Sequence, residues 1–213
     1  MNSRETERIE RYGAATRINH WIVAISFVLL ALSGLALFHP ALFWLTNLFG
    51  GGPWTRILHP FIGCFMVAAF LLLGVKLWRD NMLRRRDWQW LRRIGDVVNN
   101  REQNLPDVGR YNGGQKILFF TIIVCLACLL PSGIVIWRQY FSGYFSIDVL
   151  RLAALAHAFF GFVLICAIIV HIYAGIWVKG SIRAMTRGWV TPGWAWKHHR
   201  AWFREVTKGM QRR

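Results

Sequence analysis

Residues 152–178 read LAALAHAFFGFVLICAIIVHIYAGIWV. The run carries no formally charged side chain and exceeds the roughly 20 apolar residues that a helix needs to cross a bilayer. It holds two histidines, His157 and His171. An ionisable ring inside a span is costly, so it faces protein rather than lipid and marks function. Fourteen residues separate the two, which at about 100° per residue is close to four full turns, so both rings leave one face of the helix. At 1.5 Å per residue they stand about 21 Å apart along the axis. A single metal ion needs ligands converging within about 2 Å. The two histidines therefore belong to two sites, and each site needs a second ligand from another helix.

Three further apolar runs lie outward from this one: Trp21–Phe38, Phe61–Leu77 with Lys76 near its end, and Ile117–Ile136. With their flanks they predict membrane helices at about 20–38, 59–78, 116–137 and 152–178, in one membrane domain of residues 1–213 that ends in a basic tail, 179–213. Charged residues make up 17% of the chain, against roughly 25% in ordinary soluble domains. The fold class that follows is an all-α integral membrane protein, a bundle of four transmembrane helices. The net charge of +16 would point to nucleic acid in a soluble chain. Here all but three of the 26 lysines and arginines (Arg56, Arg138 and Arg151) lie before the first span, between the second and third, or after the fourth. That asymmetry is the positive-inside pattern and places both termini in the cytoplasm, with no nucleic-acid partner. The first run is too long for a secretory h-region and follows three glutamates, so it reads as a helix that stays.

Between the spans, Gly50-Gly51-Gly52-Pro53 breaks the first outer loop. The inner loop 79–116 predicts a short interfacial helix around Trp88–Val98. The tail alternates Trp189, Trp194, Trp196 and Trp202 with basic residues, and suits an anionic lipid surface, cardiolipin included, or a partner subunit. Cys125-x-x-Cys128 sits mid-span without a second pair and reads as buried apolar filling, as do Cys64 and Cys166.

Of seven histidines, His20, His59, His157 and His171 lie in or at the mouths of spans, while His39, His198 and His199 lie in loops, where solvation is the expectation. Depth sorts the first four. His59 opens the second span from outside and His157 is near the outer end of the fourth; His20 opens the first from inside and His171 is near the inner end of the fourth. An outer pair, His59/His157, and an inner pair, His20/His171, result. Four residues on from each stands a small residue (Ala24, Gly63, Gly161, Gly175), leaving room for a flat macrocycle. Haem iron accepts axial histidine. Four ligands at two depths make two b haems, since no Cys-x-x-Cys-His is present for covalent attachment. A histidine-lined cation transporter is the alternative in a different class.

The same residues carry a family resemblance. His20-Trp21, Arg56-Ile57-Leu58-His59-Pro60-Phe61 and Gly109-Arg110-Tyr111-Asn112-Gly113-Gly114-Gln115-Lys116 come first. Gly133-Ile134-Val135-Ile136-Trp137-Arg138, His171-Ile172-Tyr173-Ala174, Trp177-Val178-Lys179-Gly180-Ser181-Ile182, Trp189-Val190-Thr191 and Lys197-His198-His199 follow in order. Over essentially the whole chain the sequence resembles the gamma subunits, cytochrome b556, of membrane-bound respiratory formate dehydrogenases. It departs at Gln139, where the family usually has proline, and matches poorly at the extreme N-terminus. The resemblance implies a diheme cytochrome b of the bacterial inner membrane with the same ligand pairing. It also implies an iron–sulfur beta subunit and a molybdenum or tungsten alpha subunit that oxidises formate, and menaquinone or ubiquinone as acceptor. Asn112 and Gly114 match positions lining the quinone pocket beside the inner haem, although Asn112 reads equally as a helix N-cap. A cytochrome subunit of an uptake hydrogenase or thiosulfate reductase would share this chemistry with a different partner.

Overall fold

The computed structural model describes residues 8–99 and 101–210. In chain order its helices are α1 (Ala14–Phe38), α2 (Gly52–Asn81), α3 (Arg85–Arg92), α4 (Ile94–Val98), α5 (Gly113–Val135), α6 (Ile147–Trp177), α7 (Ser181–Thr186), α8 (Pro192–His198) and α9 (Arg200–Met210). Four of them, α1, α2, α5 and α6, are long and apolar enough to cross a membrane, with 25, 30, 23 and 31 residues. At 1.5 Å per residue even α5 spans about 34 Å, more than the roughly 30 Å of hydrocarbon.

The helices outrun the apolar stretches because backbone hydrogen bonding continues into the polar flanks. α2 starts at Gly52, since Gly50 and Gly51 take left-handed conformations (φ 86° and 96°) that break the chain there. Pro53 then sits in the first turn, where its missing N–H costs nothing. The preceding loop is itself wound into a 3-10 segment, Pro40–Phe49. The His39 ring opens it, accepting from the Ala41 N–H at 3.2 Å. Pro60 and Pro131 lie inside α2 and α5 without ending them. Each lacks the N–H that would bond the carbonyl four residues back, a loss membrane helices tolerate where neighbouring groups take up the freed carbonyl.

The chain folds into two compact units that interleave in sequence. The first, Ile18–Val75 with Thr121–Ile172, comprises the central lengths of the four long helices. Side-chain contacts tie α1 to α2 through Ser33 and His59, α5 to α6 through Ser132 and His157, and α2 to the turn after α5 through Phe61 and Trp137. Large apolar side chains such as Ile25, Leu72, Phe162 and Val170 stay exposed. That is the expected surface of helices solvated by lipid.

The second unit joins the N-terminal residues up to Arg17, Lys76–Phe120 and Tyr173–Arg213. The all-α class stands, with one short strand pairing beside the helices. Strand β1 (Ile9–Glu10) pairs antiparallel with β2 (Trp189–Val190), Ile9 opposite Val190 and Glu10 opposite Trp189. A ladder of two residues is too short to show alternation in a sequence. It is seated by Gly188, left-handed at φ 87°, whose carbonyl accepts from the N–H groups of Arg11 (2.8 Å) and Tyr12 (3.1 Å). The core around it is Ile9, Tyr12, Tyr111, Ala184, Val190, Ala195 and Trp202. The interfacial helix expected near 88–98 is two helices, α3 and α4, divided at Arg93. α3 turns Trp90 inward and leaves Trp88 exposed. It is anchored by a buried ion pair: Lys116 Nζ lies 2.8 Å from Asp87 Oδ2, with side chains 3% and 0% exposed. The same Asp87 oxygen caps α3 by accepting from Arg84 N–H at 2.7 Å.

Candidate functional site

α2 and α6 bring His59 and His157 together, with ring centroids 6.2 Å apart and planes at 66°. α1 and α6 do the same for His20 and His171, at 6.3 Å and 56°. All four rings belong to the first unit. Two imidazoles on opposite sides of one iron, each bonded at about 2 Å, have centroids roughly 6 to 6.5 Å apart. Among the described residues no group of three or more His, Cys, Asp or Glu converges as a metal centre of protein ligands alone would. Ligands arriving in twos suit a metal whose equatorial positions come from a macrocycle.

The surroundings fit that group. A Cβ built on Gly133 would come 3.1 Å from His157 Cε1, and one on Gly34 would come 3.4 Å from His59 Cε1. Those two glycines let the rings lie close against the neighbouring helices. On the ligand helices the helix surface is open instead. A Cβ on Gly63 would touch only Leu30 Cδ2 at 3.8 Å, one on Gly161 only Leu129 Cδ2 at 3.9 Å, and one on Gly175 nothing within 4 Å. His59, His157 and His20 are half-buried and His171 is exposed.

The two pairs differ in what holds their rings. His59 Nδ1 lies 2.7 Å from Ser33 Oγ. His157 Nδ1 lies 3.1 Å from Ser132 Oγ and 3.1 Å from the Leu129 carbonyl. His20 Nδ1 is buried with no hydrogen-bond partner among the described residues. A ring that ligates through one nitrogen normally has the other held by a protein acceptor, so the outer pair is the better determined.

Asn112 stands immediately before α5 and caps it. Its Oδ1 accepts from Gln115 N–H at 2.9 Å, while Gln115 Oε1 accepts from Asn112 N–H at 3.0 Å, a reciprocal capping box. The cap uses the amide oxygen, and the NH₂ group has no bond among the described residues. The flat ring against Gly113 and Gly114 is an indole. A Cβ on Gly113 would meet Asp87 O at 2.8 Å and Trp90 Cε3 at 3.0 Å, and one on Gly114 would meet Trp90 at 3.3 Å. The two glycines therefore serve the close approach of α3 to α5, whatever else they do.

A second polar cluster went unread in the sequence. Arg11, 2% exposed, sits among four aromatic rings, 4.6 Å from Trp202, 5.2 Å from Trp194, 5.6 Å from Tyr12 and 5.9 Å from Tyr111. Its Nη2 donates to the Arg110 carbonyl and lies 3.2 Å from His199 Nε2. His199 is buried rather than solvated, which corrects the expectation for the tail histidines. Its Nδ1 is 2.8 Å from the Gly109 carbonyl and so donates, leaving Nε2 to accept from Arg11. Burial first, then the Arg11 guanidinium, hold the His199 ring well below the usual histidine range, against the pull of the Gly109 bond. Burial and then the Tyr12 phenol push Tyr111 above the usual tyrosine range. Trp194 and Trp202 thus serve the core of the second unit, while Trp196 is exposed as a surface tryptophan would be.

A model of the family described as prokaryotic cytochrome b561 matches residues 11–188. The chain belongs to that family. It is 47% identical over 213 residues to the formate dehydrogenase cytochrome b556(fdo) subunit of Escherichia coli strain K12, covering 100% of this chain and 99% of the relative. It is 43% identical over 204 residues to the nitrate-inducible formate dehydrogenase cytochrome b556(Fdn) subunit of the same organism, covering 96% and 94%. A formate dehydrogenase cytochrome b556 subunit of Haemophilus influenzae is 44% identical over 198 residues, covering 93% and 83%. The match to a family of membrane cytochromes b includes all four paired histidines. The serines beside the outer pair carry no periodicity or charge that would have singled them out, because small polar residues are common in membrane helices.

Proposed function

We propose that this cytochrome b561-family chain is the diheme b-type subunit of a formate dehydrogenase complex in the bacterial inner membrane. It anchors the complex, with both termini cytoplasmic, and passes electrons from an iron–sulfur beta subunit to menaquinone or ubiquinone. The carrying observation is the pair of histidine couples, at 6.2 and 6.3 Å, in one helical unit. The names of relatives 43% to 47% identical over nearly the whole chain supply the complex.

His59 and His157 would hold the outer haem, and His20 and His171 the inner. When bound, the two haems supply a one-electron relay between the membrane faces. The work of the chain is to hold two ligand couples about 21 Å apart on α6 and to keep water from both. Formate oxidation belongs to the molybdenum or tungsten alpha subunit. Distribution of the 26 basic residues supports the cytoplasmic termini and contact with anionic lipid, cardiolipin among them.

For the acceptor, Asn112 and Gly114 are the proposed quinone contacts. Asn112 can donate an amide N–H to a quinone carbonyl without giving up its cap, because the cap takes only Oδ1. Asn112→Asp keeps the cap acceptor and removes the donor, which makes it a cleaner probe than alanine. In the formate-reduced complex it should leave both haem spectra intact and slow reoxidation by added quinone about tenfold, the worth of one good hydrogen bond. Reoxidation at the wild-type rate would remove Asn112 from the quinone site.

A further inference from the structure

The outer histidines are not merely near serines; the hydrogen bonding around them has only one consistent direction. Ser33 Oγ lies 2.8 Å from the Leu29 carbonyl and 2.7 Å from His59 Nδ1. A hydroxyl has one proton to give, and a carbonyl oxygen can only accept. The Ser33 proton therefore goes to Leu29, and the hydroxyl oxygen accepts from Nδ1–H of His59. Ser132 repeats the pattern on another helix. Its Oγ lies 2.6 Å from the Cys128 carbonyl, and His157 Nδ1 is 3.1 Å from both Ser132 Oγ and the Leu129 carbonyl. Since Leu129 O cannot donate, Nδ1 of His157 must. Both rings are then protonated on Nδ1, and both present the Nε2 lone pair.

The bland account of these serines is that each satisfies its hydroxyl on its own helix, as serines in apolar helices do. That accounts for the bonds to Leu29 and Cys128. It does not account for two serines, on α1 and α5, each meeting a different member of one histidine pair, both fully or nearly buried at 0% and 8% exposure. Nor does it account for the contrast with the inner pair, where His20 Nδ1 is buried with no partner among the described residues.

Resting on the reading that the two pairs ligate haem, we infer that Ser33 and Ser132 are positioning residues that fix the tautomer of the outer ligands and set the outer haem's potential below that of the inner one. An acceptor on Nδ1–H makes the imidazole more basic. A more electron-rich ligand favours the ferric state, so reduction at the outer site is harder. With no such acceptor on His20 among the described residues, the inner site is easier to reduce. The serines thereby tilt the relay inward, from the side where electrons arrive to the side where quinone takes them.

The test is an optical redox titration of the purified complex, following both haems in the wild type and in Ser33→Ala, Ser132→Ala and the double variant. Each single change should shift the outer haem's reduction equilibrium about threefold to tenfold toward the reduced form, the worth of one hydrogen bond, a tenfold change being about 59 mV for one electron. The inner haem should not move, so the gap between the two narrows. Ser33→Thr and Ser132→Thr keep the hydroxyl and should keep the wild-type potential. Loss of the outer haem from the alanine variants with retention in the threonine variants also supports the role, since the hydroxyl is then what presents Nε2. Two haems at unmoved potentials in the double alanine variant, or loss of the haem from alanine and threonine variants alike, overturns it. A wild-type complex with fewer than two haems overturns the ligand reading beneath it, and is told apart by haem content alone.

Discussion

The histidine pairs of the helical unit and the Arg11 cluster of the interleaved unit place polar groups in apolar settings by different means. His59 and His157 meet two serines and a carbonyl, each with its donors and acceptors matched. Arg11 has a carbonyl and one histidine nitrogen, and the rest of its surroundings are the faces of Tyr12, Tyr111, Trp194 and Trp202. Each ring within about 6 Å attracts the guanidinium through its quadrupole, most strongly where water is excluded. The first arrangement leaves one nitrogen of each ring free to bind something. The second holds three distant chain segments together through ring faces, and leaves Arg11 Nη1, Tyr111 OH and Trp194 Nε1 buried without a hydrogen-bond partner among the described residues. Polar groups in the helical unit are built for a ligand, and those in the interleaved unit for packing.

The largest expected effect falls on the histidine pairs of the helical unit. His59→Ala or His157→Ala should abolish the outer haem, and His20→Ala should abolish the inner one while the outer remains reducible by formate in the assembled complex. Low-temperature optical spectra of membranes check this. Loss of the outer signal alone in His20→Ala would break the assignment of pairs.

Next in size is the buried ion pair of the interleaved unit. Lys116→Met strands the Asp87 carboxylate, and removing one partner of a buried pair costs about 3–5 kcal/mol. Thermal unfolding of the detergent-solubilised chain should show it. Lys116→Met with Asp87→Leu should recover most of the loss, short of the roughly 1 kcal/mol that the Asp87 cap on α3 contributes. A double variant no better than the single would mean the pair is not the anchor.

A smaller effect follows from His199. Its folded pKa is held below the unfolded value of about 6.5. The neutral ring therefore contributes stability that is present above pH 6.5 and is lost as pH falls from there toward the folded pKa, because only the unfolded state takes up the proton. Protease cutting of the C-terminal tail should accelerate between pH 7 and pH 5. His199→Gln, which can still donate to Gly109 and accept from Arg11, should flatten that dependence. Equal acid sensitivity in both would point to another group.

These contrasts also explain what could be read from the sequence. The four spans and the histidines in them were legible because polarity is conspicuous against hydrocarbon. His157 and His171 on one helix face, with His59 and His20 at matching depths, needed only helical arithmetic. The Arg11 cluster was not legible. Arg11, Tyr111, Trp194, Trp202 and His199 come from three segments whose composition resembles a solvated basic surface, and no local period links them. The same holds for β1 and β2, and for Trp90 over Gly113 and Gly114. Ser33 and Ser132 were hidden differently, since a hydroxyl becomes informative only once its acceptor and its imidazole are both in place.

The central claim is that each histidine pair holds one haem. Pyridine haemochrome assay against protein concentration, on the gently purified wild-type complex, measures it directly. Two b haems per copy of this chain are expected, falling to one in His59→Ala and in His20→Ala. One haem per chain in the wild type, or a ratio of two unaltered in either variant, would contradict the account.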